Sequence, residues 1–66
     1  MSDTFKNNLK PLREARKLTQ WDLAHKLGVA QGVISLIEAG HVRPKLKDQQ
    51  KLAAMLKCKV EDIWGE

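Results

Sequence analysis

Apolar residues recur every three or four positions along most of the chain, the spacing at which one face of a helix becomes apolar. The pattern predicts five short helices around one core, an all-α fold. The first helix is predicted roughly over residues 5–17, with Leu9 and Leu12 on its apolar face. Pro11 lies early in this stretch, so either the regular helix begins near Lys10 or its first turn is irregular.

The second predicted helix has a defined start and a defined stop. Thr19 can cap its N-terminus, with Asp22 three residues later in an imperfect capping box, because the acid is Asp rather than Glu. Leu18 and Leu23 stand where a hydrophobic staple would place them. Gly28 suits the left-handed conformation that ends many helices.

Three further helices follow the same apolar pattern. The third carries Val33, Ile34 and Ile37 on one face and stops at Gly40. A loop over residues 40–44 leads to the fourth helix. The predicted bounds are residues 31–39 for the third helix, 47–57 for the fourth and 60–64 for the fifth.

The second and third predicted helices are joined by a turn of about three residues, so they must cross steeply and approach closely. Ala24 supplies a small side chain for the crossing, and Gly28 tolerates the positive φ of the turn. Ile34 and Ile37 anchor the inner face of the third helix, which leaves its outer face available to enter a groove. Together these features indicate a helix-turn-helix unit.

Length and charge limit the possible functions. Sixty-six residues form a single domain, residues 1–66, whose small core leaves no room for a substrate cavity of enzyme size. The net charge of +4 suits a polyanionic partner. All six lysines and arginines of the second half fall within residues 41–59, beside the single acid Asp48. A solvated helix surface accounts for that run equally well.

Several classes of function lack the residues they would need. Cys58 is alone, and with His25 and His41 it shows no metal-ligand spacing. Neither a Gly-rich phosphate loop nor a nucleophile with its base is present, so we expect no enzymatic activity, metal, cofactor or small-molecule effector. No apolar run could span a membrane or serve as a signal peptide, which predicts a cytoplasmic protein.

From residue 9 to residue 64 the chain resembles the phage Cro and repressor type of helix-turn-helix domain, also called the xenobiotic-response-element family. The resemblance implies a compact, lambda-repressor-like five-helix fold. It also implies binding to palindromic double-stranded DNA operators as a homodimer, and transcriptional regulation, with repression as the favoured mode. The matching segments are LKPLRE (9–14), LTQ (18–20), LA (23–24), LGV (27–29), IS (34–35), IE (37–38), Gly40, RP (43–44), LA (52–53), Leu56 and EDI (61–63).

The resemblance also assigns site residues. The third helix, about residues 31–39, becomes the recognition helix in the major groove. Gln31 lies at its start without an obvious intramolecular partner, and is the strongest candidate for a base contact. Arg13 and Glu38 match a charge pair that ties the first helix to the end of the third. The implied DNA-binding residues are Gln20, Trp21, Ala30, Gln31, Gly32, Ser35, Leu36, Arg43 and Lys45.

The sequence departs from the family pattern at several positions. Ala30 stands where a capping Ser or Thr is usual, and Gly32 and Leu36 replace residues that are often polar or basic. Direct base readout therefore rests on few side chains, with thymine methyl contacts and DNA shape as further sources of specificity. Lys57 replaces a frequent Gly after the fourth helix, and Lys59 replaces a frequent Ser cap before the fifth.

A homodimer is expected because one recognition helix covers too few base pairs for genomic specificity. Leu46, Val60 and Trp64 are the candidate interface residues, although Trp64 also suits the core. Pairing through them would place the two recognition helices about 34–36 Å apart, one turn of DNA.

Two other functions remain open on the sequence. One is a protein-binding module, such as an antitoxin or a regulatory partner subunit, marked by an exposed apolar patch that Trp21 and Leu36 could seed. Trp21 could equally donate its indole N–H to a phosphate or pack on the first helix. The other is an RNA-binding domain, which the shortage of aromatic residues for base stacking disfavours.

Overall fold

The structure, a computed structural model, describes residues 6–65. Over that range the chain forms five helices and no strand, which confirms the predicted all-α, five-helix fold class. The helices are α1 (Leu9–Ala15), α2 (Gln20–Leu27), α3 (Gln31–Ala39), α4 (Leu46–Met55) and α5 (Val60–Trp64).

The first helix is shorter than predicted. α1 begins at Leu9, with Pro11 in its first turn, where a residue without an N–H removes no helical hydrogen bond. The helix ends at Ala15 rather than at residue 17. Phe5, where the pattern placed the helix start, lies outside the described residues. The fourth helix also differs, because α4 begins one residue earlier and ends at Met55 rather than at residue 57.

Two asparagines hold the segment before α1 against the rest of the fold. Asn7 donates from its side-chain amide to the Ile37 carbonyl at 2.9 Å, near the end of α3. Asn8 donates from its backbone N–H to the Ile63 carbonyl at 2.9 Å and from its side chain to the Asp62 carbonyl at 3.1 Å. These residues therefore pair with α3 and α5 instead of adding a turn to α1.

Local chemistry defines the ends of α2 as predicted. The Thr19 hydroxyl accepts from the Asp22 backbone N–H at 3.1 Å, and the Asp22 carboxylate accepts from the Thr19 backbone N–H at 2.8 Å, so the capping box is complete. The bonds from Thr19 hold the pKa of Asp22 below its usual value. This contribution to folding is present at neutral pH and is lost as the pH falls through the pKa of Asp22. At the other end, Gly28 adopts φ 76°.

α2 and α3 pack tightly against each other across the turn that follows Gly28. Ala24 is buried at their crossing, and its carbonyl accepts from the N–H groups of Gly28 at 2.8 Å and Val29 at 3.0 Å. Gly40, at φ 84°, ends α3 in the same left-handed way as Gly28 ends α2. The short turn thus fixes α3 relative to α2.

One core unites the five helices. All five contribute buried apolar side chains, and none of the described helices has the length and hydrophobicity needed to cross a membrane. The core residues are Leu9, Leu23, Ala24, Ile34, Ile37, Leu52, Ala53, Leu56, Ile63 and Trp64.

Two lysines occupy backbone conformations that glycine adopts more easily. Lys17 has φ 58° after α1, and Lys57 has φ 54° after α4. The β-carbon of an L-residue makes this left-handed conformation unfavourable by about 1–2 kcal/mol. Arg16, at the end of α1, donates from Nε to the carbonyl of Leu56, at the end of α4, at 3.2 Å. The ends of α1 and α4 therefore lie side by side.

Replacing Lys57 with glycine is expected to raise the free energy of unfolding by about 0.5–1 kcal/mol, because glycine removes the β-carbon strain but has more freedom when unfolded. Urea denaturation followed by circular dichroism measures the change. The matched control is Lys51→Gly at an exposed position inside α4, which should instead lower stability by roughly 0.5–1 kcal/mol. A loss of stability at position 57 would contradict the strain argument.

Candidate nucleic-acid interface

α3 has a buried face and an open face. Ile34 and Ile37 are at most 1% exposed and anchor the helix in the core. Gly32, Ser35 and Leu36 are exposed on the opposite side. The helix is therefore held by one face only, and its other face can enter a groove without disturbing the core.

The start of α3 has no side-chain cap, as the alanine at this position predicts. Ala30 is the N-cap residue, is exposed, and has extended backbone angles of φ −72° and ψ 151°. Its carbonyl accepts from the Val33 N–H at 3.0 Å, so the helix begins regularly. The absence of a bulky cap side chain leaves the approach to the first turn of α3 open.

A largely buried ion pair joins α1 to the end of α3. Arg13 Nε lies 2.6 Å from Glu38 Oε2, and Arg13 Nη2 lies 3.4 Å from Glu38 Oε1. The two side chains are only 10% and 5% exposed. Arg13 also donates from Nη1 to the Leu18 carbonyl at 2.8 Å. The hydrogen bond to Glu38 raises the pKa of Arg13, so its guanidinium stays charged.

The ion pair continues into two glutamines. Gln20, the first residue of α2, donates from Nε2 to Glu38 Oε1 at 2.9 Å. Gln31, the first residue of α3, donates from Nε2 to Gln20 Oε1. The expectation that Gln31 lacks an intramolecular partner is therefore wrong. The polar network, defined as Arg13, Glu38, Gln20 and Gln31, runs from α1 to the N-terminus of the candidate recognition helix.

Only part of this network has a signal in the sequence. Gln31 and Glu38 are seven residues apart, two helical turns, so they lie along one edge of α3. Ile34 lies on that edge and is buried, which places Gln31 at the boundary of the core face. The spacing does not show that Gln20 reaches both side chains, because Gln20 is on another helix.

Trp21 and Leu36 are open to solvent. Trp21 is 69% exposed and Leu36 is 45% exposed. Such exposure disfavours packing of Trp21 on α1, one of the two alternatives for this residue. Both side chains are therefore accessible to a partner.

The loop between α3 and α4 is fixed by a buried glutamine, which the sequence pattern did not predict. Gln49 of α4 is 6% exposed and donates from its side-chain amide to the Pro44 carbonyl at 2.8 Å. Pro44 is buried, whereas Arg43 and Lys45 on either side of it are exposed. The loop therefore holds two cationic residues at the surface around one anchored proline.

A helix-turn-helix family model matches residues 9–63, which is most of the chain and includes all five helices except the last residue of α5. This chain belongs to the Cro and repressor type of helix-turn-helix family. Members of this family bind DNA.

Related helix-turn-helix proteins occur in archaea. The chain is 48% identical, over 60 residues, to a Methanocaldococcus jannaschii protein named an uncharacterized HTH-type transcriptional regulator, covering 91% of each chain. A protein of the same description from Archaeoglobus fulgidus is 34% identical, covering 91% of this chain and 84% of the relative.

Solved helix-turn-helix structures share the fold. The restriction-modification controller protein C.AhdI from Aeromonas hydrophila superposes with a TM-score of 0.74 at 29% identity, covering 83% of each chain. A structure from Bacteroides fragilis superposes with a TM-score of 0.82, covering 88% of this chain and 94% of the other. Its identity of 22% shows the shared fold alone.

The three candidate dimer residues of this helix-turn-helix domain differ in exposure. Leu46, at the start of α4, is 61% exposed. Val60 is half-buried, and Trp64 is only 6% exposed because its side chain packs in the core. Of the three, Leu46 presents the most side-chain surface to a second copy.

The structure brings no metal-ligand cluster together among residues 6–65. Cys58 is half-buried, and burial raises the pKa of its thiol, so it remains protonated at neutral pH. The thiol packs beside the apolar core of the helix-turn-helix domain.

Proposed function

We propose that this protein binds double-stranded DNA sequence-specifically, as a homodimer, with α3 in the major groove, and regulates transcription. Repression by occupation of palindromic operators is the expected mode, and the role places the protein in the cytoplasm with the DNA. The observation that carries the proposal is the polar network, which holds Gln31 at the start of an otherwise open helix face. The family and the names of the archaeal relatives support the same role.

Gln31 retains the groups needed to read a base. One of its two amide N–H groups is engaged by Gln20. The second N–H and Oε1 match the N7 acceptor and the N6–H donor of adenine. Gln20 likewise has one amide N–H beyond the one that binds Glu38, and this group suits a DNA phosphate.

The other candidates on α2 and α3 complete the interface. Ser35 lies one turn after Gln31 on the exposed side of the helix and can bond to a base edge. Gly32 and Ala30 permit close approach of the backbone, and Leu36 suits a thymine methyl. Trp21, beside Gln20, presents its indole N–H as a second donor for a phosphate.

Arg43 and Lys45 are proposed to hold the DNA backbone rather than to read bases. Lys45→Ala is therefore expected to weaken binding to every duplex alike, and to reduce the slope of log affinity against log salt by about 0.9. Fluorescence anisotropy with a duplex chosen from random sequences, repeated at several salt concentrations, measures both effects. Lys51→Ala, at an exposed position of α4, is the control and should leave the slope unchanged.

The same titration tests the function itself. Wild-type protein should bind the selected duplex in preference to unrelated duplexes and to single-stranded RNA. Equal or stronger binding to single-stranded RNA would contradict the proposal, as would an affinity that does not change with salt. A slope unchanged by Lys45→Ala would place the phosphate contacts elsewhere.

The proposed dimer uses the exposed end of α4. Leu46→Glu introduces a charge into both copies of a two-fold interface, and is expected to weaken self-association at least about tenfold. Sedimentation equilibrium, with and without operator DNA, measures this change. Gln50→Glu, at an exposed position of α4, is the control. A wild-type monomer bound to a single half-site at high concentration would contradict the dimer.

A protein-binding module is the second candidate, because Trp21 and Leu36 expose large apolar side chains. It would serve as an antitoxin or a regulatory partner subunit. This function predicts no sequence preference among duplexes in the titration above. It also predicts that Trp21→Ala leaves the affinity for duplex DNA unchanged, because Trp21 would then contact a protein and not a phosphate.

A further inference from the structure

The direction of an amide side chain decides which pattern of donor and acceptor a glutamine shows to a base. An isolated glutamine can turn its amide over and present either order. In the polar network, Gln31 is bonded to Gln20, and Gln20 is bonded to Glu38. The direction of each amide therefore depends on the group that precedes it in the network.

Glu38 is the one member of this network that can only accept hydrogen bonds. Its carboxylate is paired with Arg13 Nε at 2.6 Å, in a site where the Glu38 side chain is only 5% exposed. Gln20 must therefore turn its NH₂ group toward Glu38, because the opposite direction would place a carbonyl oxygen against a carboxylate. The Gln20 oxygen then points to Gln31 and requires an N–H from it.

We propose that Glu38 is a specificity-determining positioning residue: acting through Gln20, it fixes the amide direction of Gln31 and so its preference for adenine over guanine. The inference rests on the proposed DNA-binding function. Gln20 consumes one N–H of Gln31, which leaves one donor and one acceptor for the groove. Adenine offers the matching pair, whereas guanine offers two acceptors and could form only one hydrogen bond.

The test replaces Glu38 with glutamine, which has the same shape but can present either an oxygen or an NH₂ group to Gln20. The amides of Gln20 and Gln31 can then turn over. The measured quantity is the ratio of affinities for duplexes with adenine and guanine at the base pair where Gln31→Ala abolishes the preference. A bidentate contact discriminates by roughly 5- to 150-fold, and E38Q is expected to lower the ratio at least about fivefold.

Two further variants separate positioning from stability. R13K weakens the ion pair but leaves Glu38 as an acceptor, so it should lower the melting temperature and keep the adenine-to-guanine ratio. In a Q20A background the network is already broken, so adding E38Q should not change the ratio further. Circular dichroism at the assay temperature confirms that each variant is folded.

The outcomes distinguish failure of this inference from failure of the proposed function. If the wild-type protein does not bind duplex DNA selectively, the proposed function is wrong. Suppose that it binds selectively and that Gln31→Ala relaxes the preference at one base pair. If E38Q then leaves the adenine-to-guanine affinity ratio unchanged, only the inference is overturned. A ratio that falls equally with R13K and E38Q would also overturn it, because loss of stability would then explain both.

Discussion

Replacing Glu38 with alanine is expected to lower the free energy of unfolding by about 3–5 kcal/mol, because it breaks a buried ion pair by removing one partner. The substitution strands the Arg13 guanidinium, which is only 10% exposed, without its carboxylate. It also removes the acceptor for Gln20. Urea denaturation followed by circular dichroism gives the free energy directly.

Glu14→Ala is the matched control for this measurement. Glu14 lies in α1 next to Arg13 and, like Glu38, is a glutamate near its guanidinium. The Glu14 side chain is exposed, so its loss should change stability by less than about 0.5 kcal/mol. Similar small losses for Glu38→Ala and Glu14→Ala would show that the ion pair is incidental to folding. The prediction concerns stability and is independent of any DNA contact.

Gln31→Ala is expected to have the largest effect on recognition. It removes the proposed bidentate contact, so discrimination at one base pair in each half-site should fall by about 1–3 kcal/mol. The slope of log affinity against log salt should change little, because no phosphate contact is lost. Selection from random duplexes, followed by anisotropy titrations of the single-base variants, measures both quantities.

Gln50→Ala, at an exposed position of α4, provides the control and should leave every preference unchanged. The expected pattern is the opposite of that for Lys45→Ala, which flattens the salt slope and spares the preferences. Uniform weakening of all duplexes by Gln31→Ala would identify Gln31 as a backbone contact. The two substitutions together therefore separate the reading of bases from the holding of the backbone.

The predictions from sequence were most accurate where the interacting groups are neighbours in the chain. Thr19 and Asp22 close the capping box over three residues, and Gly28 and Gly40 end their helices through their own backbone conformation. The apolar spacing likewise placed Ile34 and Ile37 in the core. Such features depend on helical geometry that is the same in every protein, so the pattern alone is sufficient.

Apart from the Arg13–Glu38 pair, which the family resemblance implied, the sequence did not predict the side-chain hydrogen bonds between distant residues. Asn7 and Asn8 pair with residues 30 and 54 positions away, and these bonds replace the first turn predicted for α1. The bond from Gln49 to the Pro44 carbonyl spans only five positions, but it was not predicted because a polar side chain is not expected to be buried. A hydrogen bond requires its two atoms within about 3.2 Å, and only the packed arrangement of the helices decides which distant groups meet that condition.

The candidate site combines features that follow from the local sequence with features that follow from the packing of the helices. By itself, the sequence determined the helix-turn-helix unit, the open face of α3 and the position of Gln31 at its start, because helical periodicity and turn chemistry are local. Only the tertiary structure decided that Gln20 bridges Glu38 and Gln31, and that Trp64 belongs to the core. The reason is physical: the crossing of α2 and α3 brings side chains from separate helices within hydrogen-bonding distance, and no spacing along one helix encodes that approach.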